Sequence, residues 1–462
     1  MKIFFIGIGG AGMHSLALYL SDAGHEVYGS DAYATPETVE FWKQRNSEVF
    51  TTHHASHIED ADLVVYSAAV PPQNPERTAA EARGIACSRG EALARFANAH
   101  PRSIAVCGTH GKGTTAAAIA AMLRASGARV GDILGAVPVN RTEPCCFERN
   151  SDYLVCEVDE SDRTNTFHRP RLLMINNIEA DHLNNYRDLS DIVATFERHV
   201  RDCVSHGSIV VIHYAGVGAP ELYERLRDVP QIRWVCRKGD IAAATITYTT
   251  SSPDEDGCCN VELTDGEETL TIAPWLGGQA NAENLAMAAA VGRALDIPSS
   301  IISRALANYK GLNDRCQICR IGRYQLVTDY ASHPTCVQND IAWIRSRAGR
   351  VIAVYHPYRY TLMQCHWHAL AKALSLADEV LLLPFDPCGE KPIENISSHA
   401  LAKAIAAHRH AEAESFESFE SCFEAAAQRM RHGDALLIFA GRPAFDMGRA
   451  ALENLTRNRK KN

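Results

Sequence analysis

Long apolar runs are missing from this sequence: nothing in its 462 residues approaches the ~20 consecutive positions of a membrane span. Clustered basic charge is missing too. The formal net charge is −9, with both signs interspersed and only a short basic tail at 457–461, which argues against nucleic acid as a partner. No internal repeat or low-complexity stretch occurs. Met1-Lys2-Ile3-Phe4-Phe5-Ile6 leads into a glycine turn without a cleavage-site pattern, so a first strand is expected there and not a secretory leader. The 15 cysteines are scattered as the reduced thiols of a cytoplasmic protein would be. Cys316-Gln317-Ile318-Cys319 is the one C-x-x-C and has no second pair to complete a zinc module. Cys365-His366-Trp367-His368 offers metal-ligand types, and reads equally as a polar helix start.

What is present is alternation. Strand-like apolar runs and helical segments succeed each other almost throughout, the pattern of α/β architecture with largely parallel sheets. At ~150 residues per domain the length predicts about three units. The first carries strands at Lys2–Ile6, His25–Gly29 and Leu63–Ser67, with helices at Met13–Ala23 and Glu37–Gln44. Residues 96–102 read as a linker. A second unit has strands at Tyr153–Cys156, Leu172–Asn176 and Ser208–Ile212 and a β-rich section over 243–272, and the alanine-rich helix Asn281–Leu295 is expected to close it. A third begins near Gly311-Leu312-Asn313-Asp314-Arg315, with strands at Tyr324–Thr328, Arg350–Tyr355, Glu379–Leu383 and Ala435–Phe439.

The most informative segment is Ile104-Ala105-Val106-Cys107-Gly108-Thr109-His110-Gly111-Lys112-Gly113-Thr114-Thr115. An apolar run, a glycine turn, a lysine, hydroxyls and a helix follow in the order that builds a phosphate cradle. Lys112 neutralises phosphate oxygens, and a hydroxyl at the helix start can ligate Mg2+. The match to G-x-x-x-x-G-K-[ST] is irregular, because Val106 takes the first glycine's place and Gly113 separates Lys112 from Thr114.

A second glycine turn, Gly7-Ile8-Gly9-Gly10-Ala11-Gly12, follows the first strand, and Asp31 closes the next strand. Alone this would suggest a nicotinamide oxidoreductase. Two phosphate loops in one chain fit better a nucleotide-diphosphate substrate in one unit and ATP in the next. Glu157 ends one strand, and Asn177-Ile178-Glu179-Ala180-Asp181-His182 follows another. Glu157 and His182 thus fall on the face where such sheets bind ligands and are candidate metal ligands. The run Asp159-Glu160-Ser161-Asp162 reads equally as a solvated acidic loop.

In their order, these residues resemble the Mur ligase superfamily, the ATP-dependent amide-forming enzymes of peptidoglycan assembly, and within it the alanine-adding branch. Gly108-Thr109-His110-Gly111-Lys112 is its most specific motif. Gly29-Ser30-Asp31, Ser67-Ala68-Ala69, Asn74-Pro75-Glu76, Arg89-Gly90-Glu91, Asp329-Tyr330, His333-Pro334-Thr335, Arg359-Tyr360-Thr361 and Glu390-Lys391-Pro392-Ile393 complete the set. The resemblance implies three domains: a Rossmann-like UDP-binding unit at 1–99, a P-loop ATPase-like unit at 100–312 and a C-terminal Rossmann-like unit at 313–462. It implies ATP and Mg2+ as cofactors, a cytoplasmic monomer or homodimer, and small-molecule substrates, UDP-N-acetylmuramate and an amino acid, joined through an acyl phosphate.

Residue by residue, the resemblance places Gly108 to Thr115 around ATP, with Asn281 and Asn284 near the adenine and Arg315 and Asp329 reaching ATP from the third unit. Thr114, Glu157 and His182 would hold metal. Gly9, Gly10, Ala11, Gly12, Asp31, Ser67, Arg89 and Ser161 would face the UDP-sugar, and Tyr330, His333 and Arg359 the amine. Lys112, Glu157, His182 and Arg359 are the implied catalytic group.

The sequence departs from the family pattern at Gly113, Ala280, Asp314, Ser332, Leu362 and Ala440-Gly441-Arg442. Several of these positions adjoin the ATP or amine sites. Gly135-Ala136-Val137-Pro138-Val139-Asn140 and 188–200 look more like the peptide-adding sister enzyme. A peptide or another amino acid as the amine, and a non-catalytic nucleotide-binding relative, therefore stand as alternatives to an alanine-adding ligase.

Overall fold

Alternating apolar strands and helices build three separate sheets, in a computed structural model that describes residues 1–241, 244–266, 268–408 and 412–459. Ala243 of the β-rich section and Lys460 and Lys461 of the basic tail lie outside the described residues. In the first sheet Lys2–Ile6 is central, parallel to Glu26–Ser30 and Leu63–Tyr66. Ile3, Phe4, Phe5 and Ile6 are all fully buried, as a strand covered by helices on both faces must be. Val49–Phe50 and Ala86–Ser88 extend the edges; at two and three residues they are too short to leave a periodic signal.

The second sheet has ten strands. Ser103–Cys107 lies between Leu172–Ile175 and Tyr153–Glu157, parallel to both. Strand order therefore reverses at Ser103–Cys107, and a crevice opens at such a switch point beyond the strands' C-terminal ends. Three chain segments leave the sheet there: the loop after Cys107, Glu157 with the acidic loop behind it, and the 176–182 segment. Ile246–Thr250, Val261–Asp265 and Glu268–Ile272 form an antiparallel edge. The third sheet is parallel apart from the edge strand Gln317–Ile321, in the order Gln317–Ile321, Tyr324–Asp329, Ala435–Phe439, Val351–Tyr355, Glu379–Leu382, Glu412–Ser415.

Two sequence expectations need correction. Residues 96–102 are not a free linker: helix Arg89–Asn98 runs into them, and His100 Nε2 lies 3.1 Å from Ser151 O and Oγ. Helix formation won because Ser88 and Glu91 close a capping box and Ala92, Leu93 and Ala97 need burial. The alanine-rich helix spans Gln279–Ala294 but does not close its unit, since Ser299–Ala307 follows and buries Ile302 and Leu306. None of the described helices is long and apolar enough to cross a membrane.

The first two units share one apolar core, in which Leu16, Leu93 and Ala97 join Val158, Ile178 and Phe196. Helix Arg89–Asn98 is the mating surface: Asn98 Nδ2 donates to Phe167 O at 2.9 Å and Asn98 Oδ1 accepts Arg169 N–H at 2.8 Å. At Gly90 the fit leaves no room for a side chain, because a Cβ there would stand 1.8 Å from Thr164 Oγ1. Gly90→Ala is expected to destabilise the protein by about 1–3 kcal/mol through overpacking. Gly349→Ala, where the nearest heavy atom would be 3.8 Å away, should stay within about 0.5 kcal/mol. Urea-unfolding midpoints of the two variants measure the difference.

Candidate active site

The phosphate loop is shaped by the residues beneath it. Gly108 has φ +123° and Gly111 φ +73°, left-handed backbone that strains any residue with a Cβ. A Cβ on Gly111 would also collide with Asn284 Oδ1 at 2.1 Å, and one on Gly108 would press on the backbone of Asn176 and Asn177 at 2.9 Å. Asn177 Oδ1 accepts His110 N–H at 2.7 Å, and the side-chain amides of Asn176 and Asn177 donate to His110 O at 2.7 and 3.0 Å. Thr115 is fully buried and donates to Asn176 and Asn284, both at 3.4 Å. These asparagines hold the loop backbone in place.

Lys112 folds back across this loop. Its ammonium donates to Gly108 O at 2.8 Å and Thr109 O at 3.3 Å, and pairs with Glu160 Oε2 at 3.1 Å. Burial opposes the charge, but Glu160, Asp159 and Glu157 outweigh it and hold the Lys112 pKa above the ordinary lysine value. Desolvation also opposes the charge of half-buried Asp159, yet Lys112, Arg89 and His182 pull its carboxyl down to about 2. Burial, helped by the like charge of Asp159, pushes Glu160 up despite Lys112.

Around the loop lies a cavity of about 960 Å³ whose walls come from all three units. The first gives Gly10, Ala11, Gly12, Ser67 and Arg89. The second gives Thr109 to Thr114, Glu157, His182, Asn281 and Asn284. The third gives Arg315, Asp329, Tyr330 and His333. Arg89 covers Gly12, 3.1 Å from where a Cβ would be, and reaches Asp159 at 3.3 Å. Glu157 Oε2 accepts Gly135 N–H at 2.7 Å. Gly113 makes room for that carboxylate, since a Cβ there would lie 3.0 Å from Glu157 Oε2.

Six predicted site residues are not among those lining the cavity. Gly108 forms the loop's buried base, and Thr115 sits beneath the loop. Gly9 donates its N–H to Asp31 Oδ2 at 3.0 Å, so Asp31 braces the first glycine turn. Ser161 donates its N–H to Asp159 Oδ1 at 3.1 Å. Arg359 caps helix Tyr360–Leu374 with φ +56° and is held by Glu390 at 3.0 Å; the neighbouring Tyr358 lines the cavity instead. Among the described residues Glu157 belongs to none of the imidazole–carboxylate groupings close enough to share an ion, whereas His182 gathers with Asp159 and Glu160.

Several participants were hidden in the sequence. Glu160 lay in what read as a solvated run, yet it is 3% exposed. Glu179 accepts Thr335 Oγ1–H at 2.7 Å, and Asp181 Oδ1 lies 3.2 Å from His366 Nε2; both contacts join the second unit to the third. His366 is the inward member of Cys365–His368, Cys365 and His368 being exposed. Burial, with His110 and His366 nearby, lowers the His333 pKa to about 4 despite Asp181 and Glu179. Asp314 and Arg442, both departures from the family pattern, pair with each other at 2.9 Å. All 15 cysteines are free thiols.

Fold and site together give a glycine-loop α/β protein whose three units wall one cleft, the layout of an ATP-dependent ligase. Comparison with known families makes this specific. Residues 2–101 match the Mur ligase family catalytic domain, 106–292 the Mur ligase middle domain and 314–442 the Mur ligase glutamate ligase domain. Two UDP-N-acetylmuramate–L-alanine ligases resemble the chain along its length. That of Streptomyces avermitilis is 33% identical, covering 98% of this chain and 97% of the relative. That of Symbiobacterium thermophilum is 31% identical, covering 98% and 94%. Among solved structures, the UDP-N-acetylmuramate–alanine ligase of Thermotoga maritima superposes with a TM-score of 0.76 at 22% identity, over 100% of both chains. A murein peptide ligase from Psychrobacter arcticus gives 0.71 at 22% identity, over 98% of this chain and 99% of that one. At such identity these two show the shared fold. The chain belongs to the Mur ligase family.

Glu160→Ala would leave the buried Lys112 ammonium short of its nearest carboxylate. Breaking a buried pair in this way is expected to cost about 3 kcal/mol of stability, read as a lower urea midpoint. Glu160→Gln, which keeps a hydrogen-bond acceptor, should lose less.

Proposed function

We propose that this protein joins L-alanine, or a similar small amino acid, to the lactyl carboxylate of UDP-N-acetylmuramate while ATP is converted to ADP and phosphate, in peptidoglycan precursor synthesis in the cytoplasm. The observation that carries this reading is full-length similarity to alanine-adding ligases together with a cleft lined by all three units.

Phosphoryl transfer between anions needs alignment and positive charge more than covalent help. The loop amides and Lys112 would cradle the β- and γ-phosphates, and Arg89 beside Gly12 would meet the UDP-sugar's negative charge. The sugar's carboxylate oxygen attacks the γ-phosphorus and ADP leaves. The amine nitrogen then attacks the acyl carbon, loses a proton and expels phosphate. Thr114 and Glu157 offer oxygen donors on the cavity wall that suit Mg2+, while His182, gathered with Asp159 and Glu160, would reach such an ion through water. That ion, when bound, would neutralise the transferring phosphoryl group. Arg315 and Asp329 would close on the nucleotide from the third unit.

One observation favours the peptide-adding alternative. A small amino acid needs a cation for its carboxylate, a contact worth about 1.5–3 kcal/mol. Arg359 is engaged by Glu390, and position 362 is leucine.

Phosphate release from ATP and UDP-N-acetylmuramate, assayed with glycine, alanine, serine and the murein tripeptide, separates the readings. Alanine-dependent release is expected; tripeptide dependence would replace the first reading with the second, and release with no amine would sink both. Lys112→Ala should lower turnover by at least about 10²–10³-fold, as loss of a charge-stabilising donor does. UDP-N-acetylmuramate binding, followed by calorimetry, should be largely retained.

A further inference from the structure

We propose that His110, Glu179 and His333 form a binding site for a divalent transition cation of the zinc class, bridging the second and third units and separate from the position that Thr114, Glu157 and His182 offer to Mg2+.

The three side chains come from three different elements. His110 lies in the phosphate loop, Glu179 follows strand Leu172–Ile175, and His333 caps helix Pro334–Arg345. One ligand atom from each lies within 4.8 Å of the others. His110 Nε2 is 3.5 Å and His333 Nδ1 is 3.9 Å from Glu179 Oε2, and the two imidazole centroids are 4.2 Å apart. Ligands on a tetrahedral ion with bonds near 2.0–2.1 Å are about 3.3 Å apart, so side-chain shifts of up to about an ångström would complete the set.

Three observations show that this arrangement is suited to a cation. His110 Nε2 is buried and meets Glu179 Oε2 only at 3.5 Å, at the far edge of hydrogen-bond range, so it is poorly satisfied. His333 Nε2 lies 3.5 Å from Ala180 O; a proton on Nε2 would satisfy that carbonyl and leave Nδ1, 3.9 Å from Glu179 Oε2, as the ligating nitrogen through its lone pair. That lone pair accepts only the long 3.3 Å contact from Thr335 N–H, which an ion would replace. Thr335 Oγ1 orients Glu179 from outside at 2.7 Å, the kind of support that ligating carboxylates carry. Two imidazoles and one carboxylate select zinc-like ions over Mg2+ and Ca2+, which prefer oxygen-only sets. His366 on Asp181 at 3.2 Å clamps the same two units beside the site, so an ion here would fasten the cleft wall.

The test is Co2+ titration of the nucleotide-free protein, followed by visible ligand-field absorption. One equivalent should bind, be displaced by Zn2+ and resist excess Mg2+. Glu179→Gln and His333→Leu should each weaken binding by roughly 100-fold, while His182→Ala leaves the spectrum unchanged. Zinc-edge X-ray absorption on the unaltered protein gives a readout independent of how the variants fold, and should show outer-shell scattering from two imidazoles. Oxygen-only coordination, displacement by Mg2+, or a spectrum lost in His182→Ala but kept in Glu179→Gln would overturn the proposal.

Discussion

A mostly buried ammonium and its carboxylates form a polar chain that touches all three units of this molecule. Lys112 is paired with Glu160 at 3.1 Å and attracted by Asp159. Asp159 in turn takes Arg89 from the first unit at 3.3 Å. On the other side, His182 lies 3.9 Å from Glu160 and 3.6 Å from Asp181, and Asp181 meets His366 of the third unit at 3.2 Å. Acidic and basic side chains thus alternate from Arg89 beside the first glycine turn to His366 on the C-terminal wall, with the phosphate loop at the midpoint. In a low-dielectric cleft, removing one member leaves its neighbours unpaired, so the chain is cooperative in a way that isolated surface pairs are not.

The same network sets the state in which the loop waits. Lys112 spends its donors on two carbonyls of its own loop and on Glu160. Under the proposed function, a phosphate in the cradle would compete with those partners for one ammonium and leave Glu160 beside His182, so ligand binding in the central unit would change the pairing of groups that touch the other two units. This coupling needs no long-range strain, since each step is a change of partner between adjacent groups.

Legibility in the sequence followed range. The segment from Ile104 to Thr115 could be read because its strand, glycines, lysine and helix are contiguous, and the central strands could be read because full burial makes them uniformly apolar. Glu160 could not, since an acidic run after a strand looks alike whether it is solvated or folded over a lysine. His366 sat among three equivalent candidates, and only the helical period decides which one faces inward. Helix Arg89–Asn98 was underestimated because its last turn reaches residues whose composition is that of a linker. The Asp314–Arg442 pair joins residues far apart in sequence, so each looked like an isolated charge change until the fold put them 2.9 Å apart.

That last pair bears on the amine. Asp314 holds Arg442 and Glu390 holds Arg359, so two guanidiniums of the third unit are already committed to carboxylates. Arg315, stacked 5.5 Å from the centre of the Tyr330 ring, lines the cavity but shares it with Asp329 and Asp340, both pushed toward their neutral forms by burial. Among the described residues of the third unit that line the cavity, Arg315 is the one guanidinium open to a substrate carboxylate, beside neutral donors such as Tyr330 and Tyr358. Under the proposed function, activation of the sugar carboxylate would fall to the central unit, where Lys112 and Glu157 are fixed by short contacts, and choice of the attacking amine to the third, where Arg359 and Arg442 are paired with carboxylates.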